Sequence, residues 1–202
     1  MFNFLSEYAE RDRIEDTDVK PVDFRALWAA ALPFADFVAA STQHRGLWEG
    51  LYRLARVPDW ALALVPPGFR LRLLVLSEDW CGDCSNTIPV LARWAEQFPG
   101  LELRVIRRDE HPEVMDRYLT NGSRSIPIVI ALNEEYQEVG HWGPRPSELQ
   151  AWVVANKPRM PRSEFYPLVR RWYARDKGEA TIREVAAAAG LPAVPASGES
   201  DP

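Results

Sequence analysis

One apolar run sets the architecture of this chain. Leu71 to Leu76, broken only by Arg72, has the length and the Leu/Val content of a buried strand. Helical and strand periodicities alternate after it. Ser85 to Phe98 places Ile88, Leu91, Trp94 and Ala95 on one helical face despite Pro89, and Pro99-Gly100 stops it. Leu101 to Arg107 alternates as a strand. Pro112 opens a helix through Leu119, which Asn121-Gly122 ends. Ile126 to Leu132 is a β-branched strand entered through Pro127. Asn133-Glu134-Glu135 turns into a fourth strand, Tyr136 to Trp142, and Pro146 opens a last helix through Ala155. The order β-α-β-α-β-β-α begins as a parallel crossover and ends as a hairpin, which predicts an α/β domain over residues 69–156.

The flanks read as helical. In residues 1–68, Phe24, Leu27, Trp28, Ala31 and Leu32 share helical spacing after Pro21, and Pro33 is expected to kink or break that helix. Leu47, Trp48, Leu51 and Leu54 form a second stripe, and Pro58 opens a short helix through Leu64, ended by Pro66-Pro67-Gly68. In residues 157–190, Phe165, Leu168, Val169, Trp172 and Tyr173 form a third stripe. Thr181 is expected to cap a final helix, with Glu184 at the capping-box position. Residues 191–202, rich in Pro, Ala, Ser and Gly, predict a disordered tail. The Trp28, Trp48, Trp172 and Tyr173 stripes predict helix–helix packing in preference to a ligand site. Residues 159–190 carry seven basic against four acidic side chains. This reads first as a solvated helix face; the alternative is a docking face for an acidic partner.

Composition narrows the function. A net charge of −5 over 202 residues argues against a nucleic-acid or anionic-membrane binder, which needs a basic face. The start, MFNFLSEYAERDR, lacks a basic segment followed by an apolar one. The longest mostly apolar run, Leu27 to Ala40, is interrupted by Pro33 and Asp36, so neither a signal peptide nor a membrane span is expected. The expected location is the cytoplasm, where thiols stay reduced unless they cycle.

The chemistry sits in Trp80-Cys81-Gly82-Asp83-Cys84, between the first strand and the helix after it. These are the two cysteines of the chain. A cysteine at a helix start sees oriented N–H groups and the positive end of the dipole, which favour the nucleophilic thiolate. The two-residue spacer brings the second sulfur within reach, so the pair reads as a redox dithiol. The competing readings are half of a zinc site and a pair of inert core thiols. His44, His111 and His141 show no ligand spacing; a site shared between chains would remain open to zinc.

The segment resembles the thioredoxin superfamily. Trp80-Cys81-Gly82-Asp83-Cys84 is similar to its active-site motif, Pro89 to the proline that kinks its active-site helix, and Ser125-Ile126-Pro127 to its X-Pro pair. Asp109 to Pro112 and the hairpin ending in Gly140 fit as well. The likeness covers about residues 69–156. It implies a thioredoxin-like fold, a central mixed sheet flanked by helices, here with N- and C-terminal helical extensions. It also implies a cis Ile126-Pro127 bond that turns the Ile126 backbone toward the sulfur, where it can pair with substrate. Trp80 then either covers Cys81 or is ordinary packing.

Two departures matter. The third motif position is Asp83, where thioredoxin has proline. Val75 stands where thioredoxin has a buried acid that handles protons. The proton acceptor is then Asp83, Glu78 or Asp79, or exchange is slower. A solvated Asp83 carboxylate is expected to oppose the Cys81 thiolate and raise the thiol pKa. The expected activity is thiol–disulfide exchange: Cys81 attacks and Cys84 resolves, with no metal or organic cofactor. Its partners are a protein or small-molecule disulfide and an external electron donor. A non-catalytic protein-interaction module on the same scaffold is the alternative, favoured if the helical extensions cover the Cys81 side. A peroxide-reducing enzyme is the weaker third reading.

Overall fold

The computed structural model describes residues 21–64, 66 and 68–192. The expectations that fall on residues 1–20 and 193–202 lie outside that range. The chain runs α1 (Phe24–Ala30), β1 (Leu32–Pro33), α2 (Phe34–Ala39), α3 (Arg45–Leu54), α4 (Asp59–Ala63), β2 (Leu71–Ser77) and α5 (Gly82–Gln97). It continues through β3 (Leu101–Arg107), a 3-10 turn (Arg108–Glu110), α6 (Pro112–Met115), β4 (Ile128–Leu132) and β5 (Glu138–Trp142). It closes with α7 (Ser147–Asn156), α8 (Arg162–Asp176) and α9 (Glu179–Ala188). The sheet order is β1-β3-β2-β4-β5. β2 and β3 are parallel from Leu71 opposite Leu101 to Ser77 opposite Arg107, and the remaining pairings are antiparallel. This is an α/β thioredoxin-like architecture. The central β2 is buried along its length apart from Arg72, as its composition requires.

Several elements differ from the sequence reading, four of them for a clear local reason; β4 begins at Ile128 and not at Ile126. Pro33 does not kink a helix. Asp23 caps α1, accepting from the Ala26 N–H at 3.0 Å, and α1 ends at Ala30. Leu32 and Pro33 then add a fifth strand at the edge of β3, where a residue without an N–H is tolerated. α6 stops at Met115 instead of Leu119, because Tyr118 turns back to donate its hydroxyl to Glu138 at 2.7 Å. β5 starts at Glu138 and not at Tyr136. Tyr136 has φ +64, and the Asn133 side chain closes the turn by accepting from the Glu135 and Gln137 N–H groups. Finally, Thr181 does not cap α9. It is buried inside the helix, which Gly178 opens at φ +87, while Asp176 accepts from the Gly178 and Ala180 N–H groups.

One core runs from Trp28, Phe37 and Trp48 through the sheet and α5 to Ile182, Val185 and Leu191. Leu191, placed in the tail by the sequence reading, is 6 % exposed. Its N–H bonds Ala186 O while Gly190, at φ +73, bonds Ala187 O, which closes α9 in a Schellman pair. A second cluster, Leu149, Val153, Phe165, Val169 and Tyr173, joins α7 to α8. Among the described residues no helix is long and apolar enough to cross a membrane.

Candidate functional site

Cys81 is the N-cap of α5, and Gly82, three residues ahead of the start read from the sequence, is the first helical residue. Its sulfur accepts from the Cys84 N–H at 3.4 Å and lies 3.6 Å from the Ile126 carbonyl oxygen. The Ile126-Pro127 peptide bond is cis. Both cysteines are free; Cys81 is 8 % exposed and Cys84 is fully buried. Trp80 is 39 % exposed, with the Arg108 guanidinium 4.9 Å from its ring centre. Its ring therefore forms part of the surface beside the sulfur.

The environment separates the two thiols. The hydrogen bond from the Cys84 thiol, followed by the N–H groups of Cys84 and Asp83, pulls Cys81 below the ordinary thiol value; burial and the Asp83 carboxylate oppose this. The sequence argument that Asp83 opposes the Cys81 thiolate while the helix start favours it thus has the correct sign for each; the favourable contributions prevail. Burial, then the hydrogen bond to Cys81 and the charge on it, pushes Cys84 well above the ordinary value, against the Ser77 hydroxyl.

Asp83 is not a solvated residue. Its side chain is 14 % exposed, ion-paired with Arg145 and accepting from the Tyr173 hydroxyl at 2.9 Å. Arg145 lies between β5 and α7, and Tyr173 on α8, so two distant elements converge on the motif. Burial, then Asp83, raises the Tyr173 hydroxyl pKa and keeps it a donor. Sequence reasoning missed both partners. Tyr173 sits on an apolar stripe and reads as packing; Arg145, set between Pro144 and Pro146, was the available signal.

The other candidate proton acceptors are occupied. Glu78 accepts from the Asp109 N–H at 2.9 Å and pairs with Arg107 at 3.5 Å. Asp79 accepts from the Thr42 and Gln43 N–H groups at 2.7 and 3.1 Å, and its carbonyl accepts from Trp48 Nε1 at 2.9 Å. Val75 is buried between Val105 and Val129. Ser77 is also buried, and its hydroxyl has no hydrogen-bond partner among the described residues. The described residues contain no group of three His, Cys, Asp or Glu able to hold a metal.

Asp79 ties the α2–α3 link to the loop that carries Trp80 and Cys81. Against burial, the Gln43 and Thr42 N–H groups hold its carboxyl below the ordinary value. Asp79→Ala is expected to cost about 2 kcal/mol near neutrality, the scale of hydrogen bonds to a charged acceptor. Because the folded pKa is depressed, that stability is present above the unfolded carboxylate pKa and is lost as pH falls through the folded one. Denaturant melts of the two proteins should differ near neutrality and converge in acid.

Comparison with known proteins agrees with this geometry. A thioredoxin family model matches residues 31–161. Thioredoxin-2 of Pyricularia oryzae is 30% identical over 79 residues, covering 39% of this chain and 44% of that protein. A thioredoxin H-type of Oryza sativa subsp. indica is 27% identical over 82 residues, covering 41% and 65%. The chain therefore spans less than two thirds of the length of these relatives. Two crystal structures share the fold. A protein of unknown function from Pseudomonas aeruginosa matches with TM-score 0.65 and 23% identity over 83% of this chain and 96% of that one. An HIV epitope-scaffold matches with TM-score 0.63 and 22% identity over 82% and 96%. The family match spans both sides of the cysteine motif and all five strands of the sheet, and the chain belongs to the thioredoxin family.

Proposed function

We propose that this protein is a thiol–disulfide oxidoreductase that reduces disulfides through Cys81 and Cys84. The observation that carries the reading is the pair of opposed environments: a helix-capping Cys81 thiol held below its ordinary pKa, and a buried Cys84 held above it. The Cys81 thiolate attacks one substrate sulfur. The substrate S–S bond breaks, a mixed disulfide forms, and the departing sulfur takes a proton. Cys84, losing its proton, attacks Cys81 Sγ and expels the second substrate sulfur as a thiol. Two electrons have passed to the substrate and the protein is left as the Cys81–Cys84 disulfide. An external two-electron donor restores the dithiol, in a cytoplasmic setting. The Ile126 backbone and Trp80 frame the approach to the sulfur, with Asp83 tuning it.

Cys84→Ser should accumulate a stable mixed disulfide on Cys81, and Cys81→Ser should abolish turnover. In the reduced protein Cys81 should alkylate faster than Cys84 near neutrality, since the thiolate is the reactive form and the lower pKa gives Cys81 the larger thiolate population. Equal rates, or capture through Cys84, would overturn the assignment. The interaction-module reading draws on the 8 % exposure of Cys81 beside walls formed by α3 and α8. Under that reading, Cys81→Ser retains partner binding and the wild type turns over no disulfide.

A further inference from the structure

The two helical flanks build a groove against the cysteine motif. Its volume is about 610 Å³. α3 supplies Leu51 and Leu54, α8 supplies Phe165 and Val169, and α5 supplies Pro89. Trp80 and Gly82, on either side of Cys81, also line it, so the groove reaches the reactive sulfur's own neighbours. Leu47, Leu54, Trp80 and Tyr166 are 47, 73, 39 and 38 % exposed, and all four face it. Most of the large exposed hydrophobic side chains of the described residues are thus gathered at one place, as expected for a binding surface. Size and lining match a small-molecule site: mainly apolar and aromatic, with a few polar groups.

Charge decides the occupant. Arg56, Arg170 and Lys177 line the groove together with Arg145, and Asp83 is its single carboxylate. Asp83 is already paired with Arg145. Arg56, Arg170 and Lys177 have no carboxylate partner among the described residues. The basic excess of residues 159–190 therefore serves, in part, an apolar trough with a cationic rim. A neutral apolar ligand would leave that rim unused, and a polar disulfide would leave the leucines unused.

We infer that this groove binds a small aliphatic disulfide bearing a carboxylate, the chain lying against Leu51, Leu54, Phe165 and Val169 and the anion meeting Arg170 and Lys177. The assignment rests on the redox reading above and gives its substrate class. The Cys81 thiolate attacks one sulfur of the ligand's S–S bond, and the other leaves as a thiol after taking a proton. Cys84, losing its proton, then attacks Cys81 Sγ and expels the remaining ligand sulfur as a second thiol, on the same molecule where the disulfide is cyclic; the protein dithiol is the two-electron reductant and is left as the Cys81–Cys84 disulfide.

Two measurements on the full chain test this. Calorimetric titration of Cys81→Ser with octanoate should show saturable binding, about tenfold or more tighter than octanamide, and Arg170→Glu/Lys177→Glu in that background should erase the preference. Pre-reduced wild type, in single turnover, should reduce lipoate with a second-order rate constant about tenfold or more above that for lipoamide. The double charge reversal should remove this advantage without changing the reduction of hydroxyethyl disulfide. Both exposed positions tolerate charge, and Leu54→Asp gives a second variant that should weaken octanoate and octanamide alike. Equal affinity for octanoate and octanamide overturns the inference, as does equal use of lipoate and lipoamide. So does binding of an acidic leucine-bearing peptide with no binding of octanoate, or loss of octanoate binding as the protein self-associates. Failure to reduce hydroxyethyl disulfide would instead sink the redox reading, while octanoate binding to Cys81→Ser would stand apart from it.

Discussion

Gly140→Ala is expected to be among the most destabilising single substitutions in this chain. An added Cβ on Gly140 of β5 would lie 2.0 Å from the Ala188 carbonyl oxygen and 3.0 Å from its carbon. Both obstacles are backbone, so no rotamer change relieves the clash; α9 must move off the sheet. α9 holds Ile182, Val185 and Ala186 at 0, 1 and 2 % exposure. It also carries Glu184, which accepts from Trp142 Nε1 at 2.7 Å and from the Ser147 N–H and hydroxyl. Overpacking alone costs about 1–3 kcal/mol, and partial exposure of Ile182 and Val185 adds about 1.5–3 kcal/mol for each side chain fully lost. A loss above about 3 kcal/mol is expected, or roughly 10 °C in melting temperature for a chain of this size. A variant that melts within about 1 kcal/mol of the parent would show that α9 is a loosely attached element.

That close approach illustrates what a single sequence can and cannot reveal. β2, α5 and β3 were legible because each carries its own periodicity, and because Leu71 to Leu76 has no use outside a buried strand. Cys81 and Cys84 were legible as a pair because their geometry is local, one helical turn at a helix start. β1 was not, since two residues ending in proline have no period and pair with β3 only once the chain has folded. The overlong α6 has the same origin: the pattern to Leu119 is helical, and a contact from Tyr118 to Glu138 overrides it. Gly140 reads as a hairpin residue, while its reason for being glycine lies 48 residues later. Asp83 is the sharpest case. Its ion-pair partner is 62 residues downstream and its hydroxyl donor 90, so a residue that reads as solvated is held in place by two elements the motif does not touch.

Arg145→Met tests what that hold does. The Arg145 and Asp83 side chains are 18 and 14 % exposed, and removing one partner of a mostly buried pair typically costs about 3–5 kcal/mol. The same substitution should raise the Cys81 pKa. Asp83 already opposes the thiolate, Arg145 and the Cys81 charge attract one another, and without the guanidinium only the repulsion remains. A nearby opposite charge is worth about 1–3 pKa units; with Asp83 taking most of the Arg145 field, about one unit is expected. The rising limb of the alkylation rate of Cys81 against pH should therefore move up by about one unit. A less stable thiolate also makes the couple more reducing, by up to about 30 mV. Asp83→Asn should do the reverse to the pKa, because it removes the repulsion and frees Arg145, and it should still cost stability. The double variant Asp83→Asn/Arg145→Met should return the Cys81 pKa toward the parent value, since the two charges cancel in both proteins. A proton-acceptor role for Asp83 gives another pattern: Asp83→Asn would slow the release of the Cys81 mixed disulfide and leave the pKa where it was. The carboxylate already accepts from Arg145 and Tyr173, and that geometry favours the electrostatic outcome. Tyr173→Phe separates the two further. It should leave the ion pair intact and the Cys81 pKa little changed, whereas a proton acceptor that loses its hydroxyl donor would change the rate of release.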